Sequence, residues 1–398
     1  MARIGIYGGS FNPPHIGHIR AAETAVQTLK LDKLILIPAG VAPHKEEAPG
    51  SPTALQRLEM VKLTAAPNME VSDMELKRQG KSYTYLTVEA LRQQYPTDEL
   101  ILLMGTDMFL SFDTWKNPER ITKEATLGVF YRGESNERAA IDARKNAMEA
   151  EGVKVELVKN PVVDISSTQL RRMLIMGCAA PFLPEKVAEY IAENKLYGTG
   201  TDYTGLSETE LEQTVVRLLK PNRVAHVLGC RDTARQLARI HGADETDAVR
   251  AALLHDVTKA LDGPLQLTLC SQYSIILDVF GNENPKTLHA LTGSLVAERI
   301  FGENERVVSA IRSHTTGKPG MNTLEKIIYV ADYMEPNRDF PGVEELRQLA
   351  FSDLDAAMEL GLEMTLELLQ KQGRDISPES QRALDDYKKK SRKEGTVC

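Results

Sequence analysis

The stretch Gly8-Gly9-Ser10-Phe11-Asn12-Pro13-Pro14-His15-Ile16-Gly17-His18 directly follows an apolar run, Ile4-Gly5-Ile6-Tyr7. A short apolar run, paired glycines and then a helical pattern read as a strand, a tight turn and a helix start. That order delivers the chain to the carboxyl edge of a sheet, where open parallel sheets bind ligands. Gly8 and Gly9 let backbone approach a ligand closely. The helix start offers unpaired N–H groups and the positive end of a dipole to phosphate. His15 and His18 are three residues apart, so both can face one ligand. Two imidazoles there can stabilise charge on an attacked phosphorus and on its leaving group.

The rest of the first half fits one sheet. Candidate strands at 3–7, 33–38, 69–72, 99–104, 127–131 and 153–157 alternate with helical patterns at 19–29, 53–65, 84–94 and 136–150. Such alternation implies an α/β doubly wound parallel sheet, Rossmann-like in type. Pro43-His44-Lys45 falls in the loop after the second strand, within reach of a triphosphate. Gly105-Thr106-Asp107 follows the fourth strand, and the only tryptophan, Trp115, lies just beyond, before Lys116. Ile165-Ser166-Ser167-Thr168-Gln169-Leu170-Arg171 opens a helix with hydroxyl caps and one arginine, a second phosphate grip. Helical patterns follow at 167–176 and 184–194.

The first string, with its His15-Ile16-Gly17-His18 core, resembles the HxGH signature of the nucleotidyltransferases. With the other motifs it resembles the bacterial nicotinate-nucleotide adenylyltransferases, over residues 1–197. The resemblance implies ATP with Mg²⁺ and nicotinate mononucleotide as substrates, and pyrophosphate as a product. It assigns His15, His18, Lys45 and Arg171 to the ATP phosphates. It sets Tyr83, Thr84 and Trp115 near the acceptor's pyridine ring. Gly8, Gly9, Ser10, Phe11, Gly105, Asp107, Ile165, Ser166, Ser167 and Thr168 are expected to contact the substrates. Thr106 stands where that family has a small residue, a change that tunes the acceptor pocket without implying a new substrate.

The segment 198–206 is rich in glycine and threonine and reads as a flexible linker. Beyond it, apolar residues three and four apart at 208–219, 225–240, 244–254, 288–300, 303–313, 324–333 and 343–369 predict an all-α domain over 207–398. Within it lie His226, the pair His255-Asp256, His289, His314 and Asp332. Histidine and carboxylate ligands suit iron, manganese or zinc. Adjacent ligands on a helix point about 100° apart, so Asp256 can bridge two ions while His255 binds one. Of the eight histidines, seven fall in or near one of these two patterns, and only His241 is left over.

This ordered set, with Lys259, His314-Thr315-Thr316-Gly317 and Asp332 to Arg338 around it, resembles the HD superfamily of phosphohydrolases. Its flanking strings resemble the bacterial members that split diadenosine tetraphosphate symmetrically into two ADP. The resemblance implies two divalent metals, with iron expected. His226, His255, Asp256 and Asp332 surround one, and Asp256, His289 and His314 the other. Lys259 and Arg338 are placed to neutralise the polyphosphate chain. Two alternatives stay open: a general nucleotidase or alarmone hydrolase, and a metal-bound nucleotide sensor regulating the first domain.

A chain of 398 residues accommodates two domains that each bury a core. The net charge of −8 gives no electrostatic case for nucleic acid or membrane partners. Four scattered cysteines argue for a reducing compartment. No apolar stretch approaches the roughly 18 residues of a membrane span, so the cytoplasm is expected, and a homo-oligomer is allowed. The basic stretch 388–393 reads as a frayed terminus.

Overall fold

In the computed structural model, residues 1–40, 51–78, 80–131, 135–160, 163–277, 284 and 287–394 are described. Contacts divide the chain into two compact units, Met1–Thr201 and Asp202–Cys398. The first holds one sheet of six strands: β1 (Arg3–Gly9), β2 (Lys33–Pro38), β3 (Met69–Val71), β4 (Glu99–Gly105), β5 (Thr126–Tyr131) and β6 (Val155–Lys159). Their order is β3-β2-β1-β4-β5-β6, and each neighbouring pair is parallel. This is the doubly wound topology that the alternation predicts.

Successive side chains enter two different cores. Ile4, Ile6, Ile35, Leu100 and Leu102 belong to one, and Leu34, Leu36, Ile101, Leu103 and Phe130 to the other. Both faces are covered, which is why the strands read as continuous apolar runs. The strand order reverses between β1 and β4, where such sheets open a crevice. Tyr7 pairs with Leu103 and Gly8 with Ile37. Gly8-Gly9 and Gly105 therefore emerge at the same edge.

The last strand starts two residues later than expected. The helix Ser135–Ala150 closes through a turn with Gly152 at φ +86°, and the Val153 N–H bonds back to the Met148 carbonyl. Val153 thus belongs to the turn.

In the second unit the regular elements among the described residues are helices. The helix Val224–His241 packs on Glu245–Leu254 and on Thr323–Met334, and Leu288–Arg299 packs on Glu305–Ser313. The periodicity over 343–369 predicts one helix, but two form, Val343–Ser352 and Leu354–Lys371. Asp353 separates them: its φ is −141°, and its carboxylate accepts from the N–H groups of Asp355 and Ala356. The sequence reading missed the helix Gly263–Gln272, started by Asp262 as cap and Pro264 in the first turn. The basic stretch also differs from expectation. Lys388 lies on the helix Pro378–Glu394, its amine 2.6 Å from Glu363, next to the buried Tyr387.

Both ends of the segment expected to be flexible are anchored. The Thr199 hydroxyl donates to the carbonyls of Leu196 and Ile191. Tyr203 packs its ring on Phe301, and the Leu206 carbonyl accepts from Arg250 at 2.7 Å. These ties leave the joint at Thr201–Asp202.

Candidate functional site

In the first unit the helix Ile16–Thr28 begins directly after His15. The His15 backbone N–H donates to Nδ1 of His18 at 3.2 Å. A neutral His18 then carries its proton on Nε2 and presents it as a donor. The two rings lie 3.8 Å apart, centroid to centroid. His15 is buried, and burial pushes its pKa down to about 4. It is therefore neutral near pH 7.

The loop between β1 and this helix is held from several sides. Arg57 is buried; its Nη1 donates to the carbonyls of Ser10 at 2.9 Å and Ala39 at 2.8 Å, and its Nη2 to that of Gly40 at 3.1 Å. Arg171 donates from Nη1 to the Asn12 carbonyl at 2.7 Å and from Nη2 to the Thr168 hydroxyl at 3.0 Å. The Tyr197 hydroxyl donates to Oδ1 of Asn12 at 2.8 Å. The Ser167 hydroxyl donates to the Pro13 carbonyl at 3.3 Å. Ser166 caps its helix by accepting from the Gln169 N–H. Thus the expected second phosphate grip is docked against the first. Arg57 and Tyr197 were not singled out in the sequence, since a lone arginine in a helix and a tyrosine beside a glycine carry no motif.

A cleft of about 250 Å³ opens between β1, β2 and β4. Gly8, Gly9, Ser10, Tyr83, Thr84, Gly105, Trp115 and Lys116 line it, with Glu75, Ser82 and Thr87. A side chain at Gly8 would meet nothing within 4 Å, so the backbone there faces open space. The Glu75 carboxyl, raised above the usual carboxylate range by burial, accepts from the Thr87 hydroxyl at 2.7 Å. Other expected contacts lie outside this lining. Phe11 is buried, its ring packed edge-on against Tyr7 and His18. Asp107 is exposed in the short helix Thr106–Leu110, and Ile165 is buried. The Thr106 hydroxyl ties β4 to β5 by donating to the Phe130 carbonyl at 2.9 Å. Lys45 lies outside the described residues.

In the second unit the six candidate ligands converge, each at a helix end. His226 lies in the first turn of Val224–His241 and His289 in that of Leu288–Arg299. His314 follows Glu305–Ser313, and Asp332 lies in the last turn of Thr323–Met334. His255 and Asp256 follow the helix Glu245–Leu254 instead of lying within one.

Asp256 is fully buried between two groups of histidines. Its Oδ2 is 3.6 Å from Nε2 of His255 and 3.8 Å from Nε2 of His226. Its Oδ1 is 3.5 Å from Nε2 of His289 and 4.0 Å from Nε2 of His314. Asp332 Oδ1 stands 3.0 Å from His226 Nε2 and 3.8 Å from His255 Nε2.

The donor set fits divalent cations. The far nitrogens have acceptors: Nδ1 of His255 is 2.7 Å from the Ala252 carbonyl, and Nδ1 of His314 is 2.6 Å from that of Ile311. Nδ1 of His226 is 3.2 Å from Oε1 of Glu335. Protons on these nitrogens leave the Nε2 lone pairs pointing inward, as in metal-ligating histidines. Nε2 of His255 is buried without a hydrogen-bond partner. Burial holds His255 well below the usual range and His314 at about 4, so both stay neutral. Burial opposes charge on Asp332, yet the close contact with His226 and the nearby His255, His314 and Lys259 hold its carboxyl well below the usual range.

Three cations reach the same carboxylates. Lys259 Nζ is 3.1 Å from Asp256 Oδ1, and burial pushes its pKa down to about 8. Arg223 pairs with Asp256 Oδ2, and Arg338 donates to Asp332 Oδ1 at 2.9 Å. Arg223 and Glu335 were missed. The spacing of Arg223, three before His226, was the available signal. His241 is structural: its Nε2 lies 2.7 Å from the Ala350 carbonyl at the end of its helix.

The Cytidylyltransferase-like family matches residues 6–173, and the HD domain family matches residues 223–337. A protein of Exiguobacterium sibiricum, named a probable nicotinate-nucleotide adenylyltransferase, is 36% identical over 50% of this chain and 100% of its own length. A symmetrical bis(5'-nucleosyl)-tetraphosphatase of Halalkalibacterium halodurans is 42% identical over 42% of this chain and 90% of its own length. The chain belongs to both families. This adenylyltransferase–HD fusion also resembles a Mycoplasma pneumoniae protein named a probable nicotinate-nucleotide adenylyltransferase/Ap4A hydrolase. That protein is 29% identical over 90% of this chain and 97% of its own length. Among the described residues of the fusion, no helix is long and apolar enough to cross a membrane.

Proposed function

We propose that the first unit transfers the adenylyl group of ATP to nicotinate mononucleotide, and that the second splits diadenosine tetraphosphate into two ADP. Relatives with these named activities cover each half separately. In the first reaction an acceptor phosphate oxygen bonds to the α-phosphorus, and the bond to pyrophosphate breaks. Mg²⁺ accompanies the ATP. The open backbone at Gly8 receives the phosphates, and His18 directs its Nε2–H to the developing charge. Arg171 and neutral His15 complete the polar wall, and the resemblance assigns Lys45 to the same phosphates. The cleft between Tyr83 and Trp115 takes the flat pyridine ring, with Thr84 at its edge.

The two-sided carboxylate of Asp256 carries the reading of the second unit. His226, His255, Asp256 and Asp332 hold one divalent ion, and Asp256, His289 and His314 the other, with iron as the native metal. Bound there, the ions supply Lewis acidity and a water of lowered pKa. Lys259, Arg338 and Arg223 offset the charge of the polyphosphate chain. The buried, unpaired thiols Cys178, Cys230 and Cys270 suit action in a reducing cytoplasm.

Fragments 1–201 and 202–398 test the two halves. The first consumes ATP and nicotinate mononucleotide and releases pyrophosphate; preference for a pantetheine acceptor would sink that assignment. The second converts diadenosine tetraphosphate to ADP alone. Faster turnover of mononucleotides would favour a general nucleotidase, and no turnover a sensor.

A further inference from the structure

Glu335 is the least expected group in the second unit. It is 1% exposed, yet among the described residues no lysine or arginine lies within ion-pair distance of its carboxylate. Its Oε1 faces Nδ1 of His226 at 3.2 Å. Its Oε2 accepts from the backbone N–H and the side-chain amide of Asn337, both at 2.8 Å. The fold reserves space for it: a Cβ on Gly229 would fall 2.4 Å from Oε2. Arg223 acts on it electrostatically from farther away, but the one ionisable side chain within ion-pair distance is an imidazole, and a buried carboxylate so placed is costly unless that imidazole holds positive charge or binds a cation.

We infer that Glu335 is a positioning residue for one of the two metal sites, strengthening the hold on the ion on the His226 side. The inference rests on the two-metal reading above. Glu335 fixes the His226 proton on Nδ1 and raises the basicity of Nε2, which is 3.0 Å from Asp332. His255 and His314 lean instead on backbone carbonyls, which are neutral acceptors. A full negative charge therefore backs only one of these three imidazoles. Loss of such an outer carboxylate costs roughly 10- to 100-fold in metal affinity.

The test is Mn²⁺ titration of the full metal-stripped chain, with unbound Mn²⁺ counted by its electron paramagnetic resonance signal. The wild type binds two ions. Glu335→Gln weakens one site about 10- to 100-fold and leaves the other nearly unchanged. Gly229→Ala keeps the carboxylate but forces Oε2 to move, and it weakens the same site. If Glu335→Gln loses its helical far-ultraviolet signal, Gly229→Ala decides. Unchanged constants in the folded variants overturn the inference, as does equal weakening of both sites. A wild type that binds no Mn²⁺ overturns the metal reading itself, and the inference with it.

Discussion

Replacing Arg57 by methionine keeps a long unbranched side chain and removes the guanidinium. Among the described residues, three hydrogen bonds disappear, to the carbonyls of Ser10, Ala39 and Gly40. Hydrogen bonds from charged donors contribute about 1.5–3 kcal/mol each, so the simple sum is about 4–9 kcal/mol. Relief of the buried charge and entry of water favour the low end, about 4 kcal/mol. A unit of this size loses about 2–4 °C per kcal/mol. The expected fall in its melting temperature is therefore roughly 8–16 °C. Arg57→Lys should not rescue it, because one ammonium lacks the planar fork that spans three carbonyls. Differential scanning calorimetry of the intact chain, with and without ATP, identifies the transition that moves. The KM for ATP should rise, since the loops after β1 and β2 lose their common tie, while tetraphosphate hydrolysis by the same sample serves as an internal standard. A shift under roughly 3 °C with unchanged ATP kinetics would refute the clamp.

His18→Ala should lower adenylyl transfer on the order of a hundredfold, as loss of a preorganised donor does; unchanged turnover removes His18 from the chemistry. Asp256→Ala should abolish hydrolysis and leave fewer than two ions per chain by elemental analysis. An active variant with two ions would disprove the bridging role. The folded pKa of His15, about 4, lies below the ordinary 6.5 of the unfolded chain. Its neutral burial thus stabilises the first unit fully above pH 6.5, and that contribution is lost as pH falls from 6.5 towards 4. Histidine NMR should show the His15 ring titrating well below pH 6, and a midpoint near 6.5 would contradict the burial argument. Proteolytic cutting engineered at Thr201–Asp202 should leave both turnovers unchanged relative to the intact chain. A severalfold drop in either means that the halves depend on each other.

The doubly wound sheet was readable because six apolar runs alternate with helical patterns, and both faces of each strand are buried. The six metal candidates were readable because chemistry restricts their residue types, even across five separate helices. The partners of those residues were not. Glu335 lies in the last of the motif strings, but nothing in its sequence neighbourhood announces a contact with His226. Arg57 and Tyr197 gain their meaning only when residues 10–12 fold back to meet them. Asp353 has apolar neighbours that keep the helical period through it, so its break is a matter of capping and not of pattern. Phe11 sits inside the signature, yet the backbone turns its ring into the core.

The six candidate ligands come from five helix ends between residues 226 and 332, so no contiguous peptide of this unit would hold a complete ion site. A bound ion would fasten the backbone at several distant points at once, and its departure would require those points to part together. Release should therefore be governed by a collective opening of the helices, not by diffusion from the mouth. Chelators of different strength should then strip the protein at one common rate, a rate that climbs steeply with temperature.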